Sequence, residues 1–298
     1  MNLIKPNPLK KGDTIGFLTI SGAVEEIEKV NCAKDYFENK GYKVVISDTT
    51  YMQKDFLSAD DNVRLEQLHE FFENTSINAI LCTRGGYGAI RLLNKINYNL
   101  IKNNPKIFAG FSDITALLTS ITTKTGLKTF HSPMPCSDFC NTNLPQLTEK
   151  SLFQILKGDK FETKLDGKIY FAGQNKGILW GGNLATLSSM VGLDFVPNEK
   201  FILFLEDVNE PAYKIDRYLT QLFFNKNFKN NLAGIALGDF ANLDNEIYFD
   251  NIFYELGKKL NIPIMSGLKI GHIDKKITIP LGITVEFNTE EQMITEAE

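Results

Sequence analysis

Residues Ile107–Ser120 read IFAGFSDITALLTS. A short apolar run ends at Gly110. Phe111, Ser112 and Asp113 follow, and then apolar residues recur at helical spacing. Strand, turn and helix in that order form the repeating unit of an open α/β sheet. Ser112 at the junction has two readings. Serine is among the best N-cap residues, and an Asp in the first helical turn suits the macrodipole. A serine on a sharp strand-to-helix turn is also how a nucleophile elbow lifts its hydroxyl out of a sheet. That motif usually has glycine two residues after the serine, where this chain has Ile114.

The same unit repeats upstream. TIGFLTIS (14–21) reads as a strand. A helix follows with Ile27, Val30, Ala33 and Phe37 on one face and Gly41 as its stop. YKVVIS (42–47) is the next strand, and an amphipathic helix lies within 58–76. NAILCT (78–83) is a third strand that leads into RGGYGAIRLLNKI. This alternation predicts a doubly wound, mostly parallel sheet over residues 1–145. Residues 146–170 are polar and mixed, and are read as a linker. Residues 171–298 carry single strands, two or three helices and a final hairpin, which predicts a smaller C-terminal α+β domain with the active site between the two.

Of the 298 residues, 43% are hydrophobic and 23% charged, so a sizeable core is expected. The net charge is −4 and no long block of like charge occurs, which speaks against a nucleic-acid or membrane-surface patch. Lys5, Pro6, Pro8, Lys10, Lys11 and Asp13 break up the N-terminus, so no signal-peptide core is read there. No run of about 18 apolar residues is present. A cytoplasmic protein is the expectation. Cys32, Cys82, Cys136 and Cys140 lack zinc spacing and read as free thiols. A Cys140 nucleophile beside His131 is an alternative.

Ligands of open α/β sheets sit beyond the carboxyl ends of the strands. That rule selects Ser21-Gly22, Arg84–Gly88 and Phe111–Asp113. RGGYG is neither G-x-G-x-x-G nor a Walker A sequence. It is either a tight turn with a closely packed helix or a pocket whose backbone N–H groups face an anion. A nucleophilic serine needs a base, and the chain has three histidines. His69 lies at the border of a helix's apolar face and reads as structural. His131 follows a probable strand and reads as packing. His272, in LKIGHIDKK, sits on a loop after glycine and is free to reach a serine. The base needs an orienting carboxylate. Glu206 follows five apolar residues at a strand's end, with Asp207 as its rival. The order Ser112, Glu206, His272 matches the order of roles in α/β-hydrolases. A phosphate- or nucleotide-binding module without catalysis, built on RGGYG, is the alternative of a different class.

Taken together, LKKGDTIGFLTISG, CTRGGYGAIRLL, FAGFSDITALL, FHSPM, LWGGNLATLSSMVG, FLEDVNEPAYKIDRYLTQL and GHIDKKITIPLG resemble the L,D-carboxypeptidase family of serine peptidases. That family includes murein tetrapeptide carboxypeptidases and microcin C immunity peptidases. The resemblance runs from about Lys10 to Phe287. It implies a Ser112–Glu206–His272 triad, with an oxyanion hole from the backbone N–H groups of Asp113 and Gly86, Gly85 being the alternative to Gly86. It implies release of the terminal D-Ala of a muropeptide in cytoplasmic murein recycling, with no metal or cofactor, by a homodimer. The runner-up substrate is a microcin-like peptidyl nucleotide, on whose base Trp180 could stack. Arg84 and Asn183 are candidates for binding the substrate carboxylate, and Asn183 could instead cap the helix that follows it. HSPM departs from the more usual H-G-P-M at Ser132.

Overall fold

A computed structural model describes residues 2–140 and 143–297. The first half runs β1 (Thr14–Leu18), α1 (Ile27–Asn39), β2 (Lys43–Ile46), α2 (Asp61–Glu73), β3 (Ala79–Cys82), α3 (Tyr98–Asn103), β4 (Ile107–Gly110), α4 (Thr115–Thr125) and β5 (Phe130–His131). Every residue of β3 and β4 is buried, because parallel strands in the middle of such a sheet are covered on both faces. β2 lies at an edge and alternates exposed with half-buried residues.

The chain continues through α5 (Gln146–Leu156), β6 (Glu162–Lys164), β7 (Ile169–Phe171), β8 (Gln174–Asn183), α6 (Leu184–Ser189), β9 (Phe201–Val208), α7 (Ala212–Phe223), α8 (Lys226–Asn231), β10 (Leu232–Ala241), α9 (Glu246–Leu260), β11 (Ile264–Met265), β12 (Ile279–Pro280), β13 (Thr284–Asn288) and β14 (Met293–Glu296). Two sheets result. The first has the order β12-β5-β4-β3-β1-β2 and is parallel except at β12. The second has the order β6-β14-β13-β8-β9-β10-β11-β7, with β8 to β11 parallel and the flanks antiparallel. The protein is therefore α/β with two mixed sheets. Among the described residues, no helix is long and apolar enough to cross a membrane.

Two connections differ from the sequence expectation. Residues 146–170, read as a linker, carry α5 and supply both edge strands of the second sheet. The α5 face buries Leu152, Ile155 and Leu156, and Phe153 packs on Phe37 and stacks on Tyr42 of the first half. The second connection is β12, which leaves the second sheet and pairs Ile279 with His131 at the edge of the first. Strands this short carry no legible periodicity.

The two sheets meet at the start of α4. The Asn183 N–H donates to Thr115 Oγ1 at 3.1 Å. Gly182 has φ 148°, and a Cβ there would lie 2.5 Å from Thr115 side-chain atoms. Glycine is what lets β8 approach the helix behind Ser112. We predict that Gly182→Ala destabilises the fold by about 3 kcal/mol, combining overpacking with an unfavourable φ. Urea unfolding measures this, and a loss under 1 kcal/mol would contradict the seam described.

Candidate active site

Ser112 follows β4 after a single residue, Phe111, and has φ 61°. It opens a short 3₁₀ turn, Ser112–Ile114, that runs into α4. A non-glycine residue in this region costs about 1–2 kcal/mol. The N-cap positions of the two helical segments are Phe111 and Ile114, and neither receives a side-chain cap. The expected capping by Ser112 is therefore absent, because an N-cap needs extended backbone and Ser112 is left-handed. Its hydroxyl is left for chemistry.

The RGGYG turn lies against this serine. A Cβ on Gly85 would sit 2.9 Å from Ser112 Cβ and 3.1 Å from Oγ, so only glycine fits. The Gly85 carbonyl accepts from Gly22 N–H at 3.2 Å. In a trans peptide the next N–H points the opposite way, so the Gly86 N–H is turned from Gly22 and Gly86 lines the cleft. Asp113 N–H belongs to the first helical turn, where backbone donors lack intrahelical acceptors. These are the two expected oxyanion donors. The Asp113 side chain is buried and accepts from Ser21 Oγ and from Ala89 N–H.

Glu206 stands near the end of β9, paired with Asn183 at the end of β8, and has no exposed surface. Its Oε2 lies 3.0 Å from His272 Nδ1. That bond fixes the ring and leaves Nε2 for a substrate or nucleophile. Gly271 has φ 120°, and a Cβ there would stand 3.4 Å from Glu206 Cβ. The positive φ favours glycine there, and the histidine loop packs against the Glu206 and Asp239 side chains. That loop is strung between β11 of the second sheet and β12 of the first. It is tied to α5: Thr148 Oγ1 donates to the Asp274 carbonyl, Lys276 N–H donates to Thr148 Oγ1, and Thr278 N–H to Ser151 Oγ.

Ser112, Gly85, Gly86, Arg84, Phe111 and His272 line one cleft of about 350 Å³, with Met134, Cys136 and Ser137 on a further wall. The His272 ring packs on Phe111 at 5.0 Å between centroids. Among the described residues Ser112 Oγ has no hydrogen-bond partner; catalytic bonds of this kind commonly tighten only around substrate. Asp207, the rival carboxylate, is committed elsewhere. It accepts from Asn183 Nδ2, Ala185 N–H and Val208 N–H, and burial still pushes its pKa up to about 6.

Asn183 accepts from Thr186 N–H at 3.0 Å as the N-cap of α6 and does not line the cleft, so of its two readings the cap is the one seen. Arg84 does line it, held by the Ala23 carbonyl at 2.6 Å and by Glu25 at 3.3 Å. Trp180 is fully buried against Phe195 and Phe201, so it is not placed to stack on a ligand's base. His69 Nε2 accepts from Asn97 N–H, a structural role. Burial raises the Cys140 thiol pKa, and the neighbour of this residue is Cys32, whose thiol donates to the Cys140 carbonyl at 3.6 Å. That arrangement does not make Cys140 a nucleophile. Ser132 is buried and its hydroxyl donates to the Pro133 carbonyl. Among the described residues no group of three His, Cys, Asp or Glu could hold a metal ion.

Sequence reasoning missed the Lys276–Asp138 pair. Both side chains are buried and meet at 2.7 Å, tying the histidine loop to the cleft wall, and Lys276 Nζ stands 4.6 Å from the Phe111 ring centroid. The signal was weak, since Lys276 lies in a polar DKK run. His131 is buried between Phe111 and Phe204.

A hydroxyl on a strand-to-helix turn and an imidazole line one cleft, and a buried carboxylate bonds the imidazole from behind; these are residue types that hydrolases use. Residues 15–132 match the LD-carboxypeptidase N-terminal domain, and residues 176–287 match the LD-carboxypeptidase C-terminal domain. The chain belongs to the LD-carboxypeptidase family, and carboxypeptidase activity is its class of reaction. It is 34% identical over 297 residues to a probable murein peptide carboxypeptidase of Bacillus subtilis, covering 97% of this chain and 92% of that one. It is 29% identical to the microcin C7 self-immunity protein MccF of Escherichia coli, covering 97% and 95%. The crystal structure of a muramoyltetrapeptide carboxypeptidase from Oxalobacter formigenes superposes with a TM-score of 0.83 at 27% identity, covering 94% and 97%.

Burial lowers the His131 pKa to about 4 from an ordinary 6.5. Between those values the unfolded chain takes a proton that the folded chain refuses. Stability is therefore lost as pH falls through this window, by roughly 3 kcal/mol from this group. In His131→Phe the acid limb of stability should be flatter by at least about 1 kcal/mol between pH 6.5 and 4.5. Urea melts across that range check it, and parallel profiles would contradict it.

Proposed function

We propose that the protein is a serine-type L,D-carboxypeptidase that removes the terminal D-alanine of murein tetrapeptides in cytoplasmic peptidoglycan recycling. The observation that carries the reading is the 3.0 Å bond between buried Glu206 and His272 in the cleft that also holds Ser112. The names of the murein-acting relatives support the substrate class.

In this reading His272 Nε2 takes the Ser112 proton while Glu206 holds Nδ1 and steadies the imidazolium. Ser112 Oγ attacks the amide carbonyl between the L-centre and the terminal D-residue. The Gly86 and Asp113 N–H groups receive the oxyanion. His272 returns the proton to the leaving amine, and water, activated by the same imidazole, hydrolyses the acyl-enzyme. An exopeptidase must also bind the free carboxylate at the substrate's end. Arg84 and Lys29 both line the cleft; Arg84, next to Gly85 in the chain, suits that role, while Asn183 is occupied as a cap.

Incubation with a murein tetrapeptide should release one alanine, read by mass spectrometry. Ser112→Ala should lower turnover at least about 10⁴-fold. Activity that survives in Ser112→Ala would overturn the mechanism. An adenylated peptide serves as the comparison substrate. Its preferred cleavage would replace the murein assignment with a microcin-type one; the buried Trp180 argues against that outcome.

A further inference from the structure

Arg64 is fully buried on α2, on the stripe it shares with Leu68, Phe71 and Phe72. A cation with no exposed surface needs partners that justify its desolvation. Its NH1 donates to the Ile20 carbonyl at 2.6 Å and to the Gly88 carbonyl at 3.1 Å, and its NH2 to Asp61 Oδ1 at 2.8 Å. Asp113 is the buried anion nearby. It accepts from Ser21 Oγ and, at 2.9 Å, from Ala89 N–H.

The two charges therefore grip the same two segments from opposite ends. At Ile20-Ser21, Arg64 takes the carbonyl and Asp113 takes the hydroxyl. At the Gly88–Ala89 peptide, Arg64 takes the C=O and Asp113 takes the N–H. A planar peptide whose carbonyl faces a guanidinium and whose N–H faces a carboxylate is held in orientation by charge at both ends. Gly88 has φ 122°, and a Cβ there would lie 3.0 Å from Arg64 NH1 and 2.4 Å from Leu57 Cδ2, so only glycine allows the grip. Two residues earlier stands Gly86, which lines the cleft and whose N–H is turned from Gly22 because Gly22 holds the Gly85 carbonyl. Gly22 is itself the residue after Ser21.

We propose that Arg64 and the Asp113 carboxylate form a clamp on the Gly88–Ala89 peptide that aims the Gly86 N–H at the developing oxyanion, which makes Arg64 a positioning residue for catalysis. The proposal rests on the serine-hydrolase reading above, in which Gly86 is an oxyanion donor. Loss of one such donor commonly lowers kcat 10²–10³-fold, and a mis-aimed donor loses part of that.

The test compares Arg64→Met, Arg64→Lys and Asp113→Asn with wild type. One readout is the rate at which a fluorophosphonate modifies Ser112, where Oγ–P forms, P–F breaks, fluoride leaves and the serine proton passes to His272. The second readout is kcat and KM on the tetrapeptide. Folded Arg64→Met and Asp113→Asn should label Ser112 at least about tenfold more slowly than wild type, with kcat falling in parallel and KM within about twofold. Arg64→Lys, which keeps the charge and one donor direction, should recover part of the loss. A purely structural role would lower the melting temperature and leave labelling of the folded protein unchanged. Labelling within threefold of wild type in both folded variants therefore overturns the clamp. If Arg64→Met and Asp113→Asn fail to fold, Arg64→Lys decides: at least a threefold loss supports the clamp and a smaller one overturns it. Wild type that labels at Ser112 but leaves the tetrapeptide intact would refute the substrate assignment and leave the clamp standing. Wild type that does not label at all would refute the serine reading and the clamp with it.

Discussion

Ser112 is held with left-handed backbone at the point where a buried strand becomes a helix. Nothing in a serine side chain favours that conformation, so the surroundings must impose it. They do so through close approaches that require glycine. Gly85 lies against the serine's Cβ, and Gly182 brings the second sheet onto Thr115 three residues later. Behind the turn, α4 buries nine of its eleven residues and cannot shift to relieve the strain. The missing elbow glycine at Ile114 fits this arrangement: Ile114 is itself buried, and a Cβ at Gly110 would meet its side chain at 3.0 Å.

The remaining two members of the proposed triad come from the other half of the chain, and the fold joins the halves where they are needed. Glu206 lies in the buried run of β9, one residue before that run ends at Asp207. His272 rides a segment that starts in one sheet and ends in the other through the pairing of β12 with β5. Thr148 and Ser151 of α5 hold the segment's main chain, and the buried Lys276–Asp138 pair fixes it to the cleft wall. A buried ion pair is weak evidence for stability but good evidence of a fixed register. Here the segment it fixes is the one that carries His272, the proposed base.

Much of this was legible in the residues. The alternation of strand and helix gave the first sheet its order of elements, because central parallel strands are apolar throughout and their helices are amphipathic. Ser112, Glu206 and His272 could be singled out because strand ends, glycine turns and a scarcity of histidine narrow the choice. The cap reading of Ser112 failed because sequence does not report φ. The linker reading of 146–170 missed α5 because that helix packs against the first half through Phe153 rather than forming a unit of its own. Arg64 and Asp113 were hidden for a related reason: a charged residue on a helix or in a turn is ordinarily solvated, and only the fold shows that these two are sealed around one peptide. A cation on the apolar stripe of α2 was the one available sign.

If Ser112 and His272 act as one chemical unit, removing the second after the first should cost nothing more. The direct measurement is turnover of Ser112→Ala, His272→Ala and the double variant on one tetrapeptide preparation. As one unit, the pair should leave the double variant no slower than either single variant, within about threefold. Losses that multiply, with the double variant slower by the product of the two single effects, would contradict it.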